Sequence, residues 1–154
     1  MSAVLFDTSV LVPYCVAAHP HRERALAAVA ESTRSGIACW IALHSLAEAF
    51  AVLSTLPLNP RLTSDQALLL IEMEILPHFS VVSPSMEAYR AAMVDVARVG
   101  RSGGAVYDAL IFQAARMIGA SRLYTFNDKH FRPLLRESDS LAIVCPALPE
   151  AKSQ

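Results

Sequence analysis

The strongest constraint on the fold of this chain is the alternation of short apolar runs with longer segments of helical spacing. Along the 154 residues, runs of strand length recur at 3–6, 37–41, 79–82, 122–126 and 141–144. Between them, apolar residues repeat every three or four positions, as at Tyr89, Met93 and Val96. Strands that alternate with helices predict an α/β fold with a mostly parallel sheet covered on both faces, a three-layer α/β/α sandwich.

The length and composition indicate one globular domain. A chain of this length, with 54% hydrophobic residues, can bury a substantial core. We expect a single domain over residues 1–146 and a tail over 147–154. No apolar run approaches the roughly 20 residues of a membrane span, and Asp7 interrupts the first run where a secretory signal would continue. We therefore expect a cytoplasmic protein with no membrane association. Cys15 and Cys39 lie in apolar sequence and form no C-x-x-C pair, which indicates buried thiols.

Four acidic residues stand in apolar sequence. Asp7 follows the first apolar run and Asp128 comes just after the fourth. Glu48 lies in a helical stretch, and Asp108 falls in the first turn of a predicted helix. In proteins with a parallel sheet, ligands bind outside the carboxyl ends of the strands. We expect all four residues to face this edge. Because carboxylates are costly to bury alone, their grouping predicts a site for a hard metal ion.

Three of these residues also have a purely structural interpretation. Asp7 could cap the helix that follows it, Asp108 could favour a helix N-terminus, and Asp128 could be a turn residue. Glu48 has little reason to stand between two alanines for packing. One shared site explains all four residues at once, and we adopt that interpretation.

The charge is distributed unevenly along the chain. A net charge of −1 excludes a polycation for nucleic acid. Residues 1–85 hold four basic and seven acidic residues, whereas residues 86–136 hold eight basic and four acidic residues. The basic half is consistent either with solvated helix faces or with a basic rim that suits a phosphodiester substrate. Arg116, eight residues beyond Asp108, either contacts substrate phosphate or covers a surface.

Four short motifs together resemble the PIN domain family, and within it the toxins of VapBC toxin–antitoxin pairs. They are Leu5-Phe6-Asp7-Thr8-Ser9, Ser45-Leu46-Ala47-Glu48, Val106-Tyr107-Asp108-Ala109-Leu110-Ile111 and Leu123-Tyr124-Thr125-Phe126-Asn127-Asp128. Each motif is short, but their order and spacing are fairly specific. The resemblance extends from Val4 to Val144.

The resemblance implies an endoribonuclease toxin that depends on Mg²⁺ or Mn²⁺ and cuts structured RNA such as tRNA or rRNA. It implies Asp7, Glu48 and Asp108 as metal ligands, and a cognate antitoxin as partner. Such chemistry requires no histidine or cysteine nucleophile, and the sequence places none suggestively.

The resemblance leaves the fourth acidic position divided between two neighbours. The pattern Thr-x-(Asp or Asn) aligns Asn127, while the adjacent carboxylate is Asp128, which we slightly prefer. Thr8 and Thr125 resemble the hydroxyl residues that orient the ligands.

Two other functions remain open. One is a PIN-like module that binds RNA or protein without catalysis. The other is a response-regulator-like or phosphatase-like domain, which needs a lysine after a late strand; neither Lys129 nor Lys152 fits. The apolar helices at 46–56 and 68–76 suit an antitoxin helix or a homodimer contact, although burial in the core explains them equally well.

Overall fold

A five-stranded sheet forms the centre of the computed structural model, which describes residues 2–150. The strands are β1 (Ala3–Phe6), β2 (Ala38–Ala42), β3 (Ser80–Val82), β4 (Arg122–Tyr124) and β5 (Ala142–Val144). They run parallel in the order β3-β2-β1-β4-β5. The predicted parallel sheet is confirmed, and each strand lies within two residues of its predicted bounds.

Helices cover both faces of this sheet. They are α1 (Thr8–Cys15), α2 (Arg22–Arg34), α3 (Leu43–Thr55), α4 (Ser64–Leu70) with a π-helical turn (Ile71–Ile75), α5 (Met86–Arg98), α6 (Ala105–Met117), and α7 (Asp128–Phe131) with a 3-10 turn (Arg132–Leu134). Along β1, Val4 and Phe6 pack with α1 to α4, and Leu5 packs with α5 to α7. This alternation is the period-two geometry of a strand that is buried on both faces. The three-layer α/β/α sandwich is confirmed.

Helix α5 buries a different stripe from the predicted one. Ala88 and Ala92 face the core with Val96, while Tyr89 and Met93 are 44% and 55% exposed. Both stripes have helical spacing, so the period alone does not decide which is buried. The alanines lie where α5 packs along α6, and they leave the larger side chains in solvent.

The order of the strands creates a crevice beside β1. The chain runs outward from β1 through β2 to β3, and then crosses to β4 and β5 on the other side of β1. At such a switch point the connections leave neighbouring strands in opposite directions and open a cleft at their carboxyl ends. Asp7 follows β1 and Thr125 follows β4, so both lie at this cleft.

Some expectations concern the termini, the membrane and the cysteines. No helix within residues 2–150 is long and apolar enough to cross a membrane. Of the predicted tail 147–154, residues 151–154 lie outside the described residues. Cys15 and Cys39 are buried, as expected, and Cys145 is exposed.

Candidate metal centre

Asp7 is held at the carboxyl end of β1 by two hydroxyl groups. It occupies the N-cap position of α1, but its side chain makes no capping hydrogen bond. Its Oδ2 accepts from Ser9 Oγ (2.7 Å) and from Thr125 Oγ1 (2.8 Å). Those hydroxyls in turn accept from the backbone N–H of Phe126 (3.0 Å) and of Asn127 (2.9 Å). The network joins the ends of β1 and β4 and fixes the Asp7 carboxylate, so the capping interpretation is wrong.

The buried position of Asp7 makes its charge costly. Burial raises the pKa of the Asp7 carboxyl, and the hydroxyl donors only partly oppose this. The hydrogen bond from Thr125 to Asp7 is the orienting contact that the resemblance implied for Thr125. Thr8 does not contact Asp7, because Ser9 does so instead. The buried hydroxyl of Thr8 lies beside Glu48, whose pKa it lowers.

Glu48 brings a second carboxylate from α3. Its Oε1 is buried and makes no hydrogen bond, and the nearest polar neighbour along α3 is His44, whose Nε2 lies 3.5 Å away. Burial raises the pKa of Glu48, and the charge of Asp7 raises it further, while His44 and the hydroxyl of Thr8 oppose this. An unpartnered buried carboxylate oxygen is rare because it loses its hydration without compensation. Glu48 therefore has a carboxylate oxygen that is available to bind a cation.

Asp108 supplies the third carboxylate from the first turn of α6. Burial, followed by the charge of Asp7, raises its pKa from 3.8 to about 6. Glu48 adds to this effect, while His130 and Arg101 oppose it. The Nδ1 of His130 lies 3.3 Å from Asp108 Oδ2. The mutual influence of the three carboxylates shows that they form one electrostatic cluster.

Two adjoining cavities bring these carboxylates to a common cleft, to which we refer as the acidic cleft. Its smaller part, about 330 Å³, is lined by Asp7, Glu48, Asp108 and Asn127, with apolar walls from α1 and α3. Its larger part, about 560 Å³, shares the last three of those residues and adds Arg101 and His130. The structure thus places three of the four predicted acidic residues around one space.

Asp128 does not belong to this group. It is the first residue of α7, it lines neither cavity, and its Oδ2 accepts from Arg132 Nε at 3.0 Å. Asn127, one residue earlier, lines both cavities. The chain turns into α7 at this point, and the one-residue step carries the Asp128 carboxylate to its i+4 partner Arg132. We therefore propose Asn127 in place of Asp128 at the fourth position.

Arg116 also lies away from the cleft. Eight residues at about 1.5 Å rise place it roughly 12 Å along α6 from Asp108. There it donates to Asp139 through Nε (2.8 Å) and Nη2 (2.7 Å), and to Asp95 through Nη1 (2.9 Å). Asp95 is fully buried and also accepts from Gln113 (2.7 Å). Arg116 is thus part of an ion network that ties α5, α6 and the segment before β5, and not a phosphate contact.

Sequence reasoning missed several residues of the cleft. It found no suggestively placed histidine, yet His44 and His130 both lie beside acidic ligand candidates. The i, i+4 spacing of His44 and Glu48 on one helix was a readable signal. His130 and Arg101 carried no such signal, because they reach Asp108 through tertiary contacts.

The residues present fit a hard divalent cation. Carboxylate oxygens are the ligands that Mg²⁺ and Mn²⁺ prefer, and burial raises the pKa of all three carboxyls, a cost that a bound cation would offset. In the described part of the chain, no three His, Cys, Asp or Glu side chains lie close enough to bind one ion directly, so at most two of the three carboxylates would be direct ligands in this arrangement. Mg²⁺ takes one or two carboxylates directly and keeps several waters, so a looser cluster suits it.

The fold and the cleft define an α/β protein with an acidic centre at a switch point of its sheet. The family model for the PIN domain matches residues 4–134. The chain belongs to the PIN domain family. Comparison with curated proteins gives no match.

Solved structures of VapBC proteins share this fold. VapC20 of Mycobacterium tuberculosis, described as a sarcin–ricin loop cleaving toxin, has a TM-score of 0.66 at 17% identity over 82% of this chain and 92% of its own. VapBC2 of Rickettsia felis, bound to a DNA fragment from its promoter, has a TM-score of 0.68 at 16% identity over 93% and 98%. DNA-bound VapBC of Salmonella typhimurium has a TM-score of 0.67 at 17% identity over 96% and 100%. The protein is thus a PIN domain that resembles VapC toxins in fold.

Proposed function

We propose that this protein is an endoribonuclease that depends on Mg²⁺ or Mn²⁺ and acts as the toxin of a type II toxin–antitoxin pair. The observation that carries the proposal is the acidic cleft, in which Asp7, Glu48 and Asp108 each have a raised pKa and Glu48 has an unpartnered oxygen. The family and the structural likeness to VapC toxins support the same function. A cluster of this kind is destabilising unless a cation neutralises it.

The proposed ligand set is Asp7, Glu48 and Asp108, with the amide oxygen of Asn127 in the fourth place. A bound divalent ion would lower the pKa of a water nucleophile and offset charge on the phosphate. Ser9 and Thr125 keep the Asp7 carboxylate in one orientation through their hydrogen bonds. The apolar walls of the smaller cavity limit water around the carboxylates.

RNA is the proposed substrate, with structured tRNA or rRNA as the class. The excess of basic residues in 86–136 contributes less to the cleft than the sequence indicated. Arg98, Arg116 and Arg136 are within ion-pair distance of Asp95. Arg101 instead lines the cleft beside Asp108. The basic rim is therefore narrow.

An antitoxin and a second copy of this chain are the proposed protein partners. Leu68, Leu69, Met73 and Leu76, on α4 and its π-helical turn, are 45–60% exposed, so the core does not account for this apolar run. A toxin–antitoxin complex from Klebsiella pneumoniae is among the solved structures that share the fold, and we propose that an antitoxin helix covers this face. We propose that the exposed apolar side of α5, which includes Tyr89 and Met93, forms a homodimer contact. Light scattering of the partner-free protein, with Met93→Glu as the variant, would test the dimer.

The first experiment compares two Asp→Asn substitutions, one at a proposed metal ligand and one outside the acidic cleft. Purified partner-free protein is incubated with total RNA in Mg²⁺, in Mn²⁺ or in EDTA, beside Asp108→Asn and Asp128→Asn. We expect discrete cuts that need metal, disappear in Asp108→Asn and persist in Asp128→Asn.

Two results would contradict the proposal. Cutting by folded Asp108→Asn would place the activity elsewhere or in a contaminant. No cutting by folded wild-type protein under any condition would favour the non-catalytic binding module.

A further inference from the structure

Arg101 is a cation without an acidic partner in a cleft lined by carboxylates. No Asp or Glu oxygen of the described residues lies within 4.0 Å of its guanidinium, whereas Arg116 and Arg136 both pair with Asp95. It is half-buried and lines the larger cavity with Glu48 and Asp108. Those two arginines lie outside the cleft, whereas Arg101 lines it.

Backbone carbonyl groups hold the guanidinium of Arg101 in place. Its Nη1 donates to the carbonyl oxygen of His130 (3.0 Å), and its Nη2 donates to that of Lys129 (3.2 Å). A guanidinium has five N–H donors in a rigid fork, so three remain for another acceptor. Arg101 is therefore a fixed charge with free donors, which is the usual arrangement of a phosphate-binding arginine.

The cavity beside Arg101 has room for a ligand. Its volume of about 560 Å³ lies within the roughly 300–1,000 Å³ of small-molecule sites. Arg101 shares it with the ligand candidates Glu48, Asp108 and Asn127. An RNA strand with one phosphate at the carboxylates would bring a neighbouring phosphate into this cavity.

We propose that Arg101 binds a backbone phosphate of the RNA next to the phosphodiester that is cut. The inference rests on the proposed ribonuclease function and adds a substrate-binding residue outside the acidic set. It makes Arg101 a determinant of RNA affinity and not a metal ligand. A role confined to clamping α7 is the competing explanation, and a salt titration separates the two.

The test measures RNA binding in protein that does not cut. In the Asp108→Asn background, retention of end-labelled total RNA on filters is measured from about 50 to about 200 mM salt. We expect added Arg101→Gln to weaken binding about tenfold or more at low salt, as for loss of a charged hydrogen bond. We also expect the plot of log K against log salt to become less steep by ~0.7, which is the contribution of one phosphate contact on a single strand.

Two further variants separate charge from structure. Arg101→Lys keeps the charge, so the slope should stay close to that of the parent. Arg34→Gln removes the same charge at the end of α2, at the amino edge of the sheet, and should leave both affinity and slope unchanged.

The outcomes distinguish this inference from the proposed function. An unchanged slope in folded Arg101→Gln would overturn the phosphate contact. If the salt dependence of Arg101→Lys became less steep by the same amount, Arg101 would only hold α7 in place and would not contact phosphate. No RNA binding by the Asp108→Asn parent would remove the ribonuclease proposal itself, and this inference with it.

Discussion

Neutralising Asp108 should stabilise the metal-free protein. Its pKa is about 6 in the folded chain against an ordinary 3.8, and each pKa unit corresponds to 1.36 kcal/mol. The ionised carboxylate therefore costs about 3 kcal/mol of folding free energy. This pKa already includes the opposing effect of His130, but the side chain is 27% exposed and solvent screens part of the cost. We expect a net gain of roughly 1–3 kcal/mol above neutral pH.

The gain should depend on pH in a defined direction. Between pH 3.8 and about 6 the native carboxyl of Asp108 still binds a proton that the unfolded chain has released. The native state therefore holds more protons, and the stability of the wild type falls as the pH rises through this window. Asparagine does not titrate. The difference in unfolding free energy between the two proteins should be small near pH 3.8 and should reach its full value above about pH 6.

Urea unfolding followed by circular dichroism measures this difference. Both proteins are unfolded in EDTA at about pH 4 and about pH 7.5, on either side of the window. Asp128→Asn is the matched control, because its carboxylate is exposed and paired with Arg132 and should give no gain. Added Mg²⁺ should stabilise the wild type more than Asp108→Asn. A less stable Asn variant at the higher pH, or an equal gain at both values, would refute the reasoning.

Three further perturbations test other parts of the structure. Asp95→Asn breaks a buried ion network, at a cost of about 3–5 kcal/mol, and should lower Tm by roughly 6–20 °C; an unchanged melting curve would contradict this. Ser9→Ala leaves Asp7 with one hydroxyl donor fewer and should cost about 1–3 kcal/mol in urea unfolding, whereas a neutral effect would separate Ser9 from the site. Asn127→Ala should reduce kcat/KM on RNA about 10- to 100-fold, and Asp128→Asn should change it little; the reverse order would return the fourth position to Asp128.

The sheet could be predicted because its signals are local. Each apolar run is a strand that is buried on both faces, and such strands read as continuous hydrophobic sequence. The carboxyl end of a run is also visible in the sequence, so Asp7 could be assigned to the edge where ligands bind. The buried face of α5 was not visible in the same way. Tyr89 and Ala88 begin stripes of equal regularity, and only packing against α6 selects the alanines.

The fourth position of the site depended on geometry that the sequence does not contain. Asn127 and Asp128 are adjacent, and the chemically stronger ligand is the acidic one. Where β4 gives way to α7, however, one residue decides whether a side chain faces the cleft or its own helix. The same limit applies to Arg101 and His130, which meet near Asp108 only because α7 folds back onto the start of α6.

Helix α6 carries two opposite electrostatic arrangements at its two ends. Near its start, Asp108 is destabilised by burial and by Asp7, and no arginine pairs with it among the described residues. Near its end, Arg116 binds Asp95 and Asp139 in a satisfied network. The second arrangement fixes the helix without touching the cleft, so the stability that it supplies does not depend on the proposed metal site. The network at Asp95 is therefore independent of the cleft: changes at Asp95 should alter unfolding and leave the proposed metal affinity of the folded protein intact.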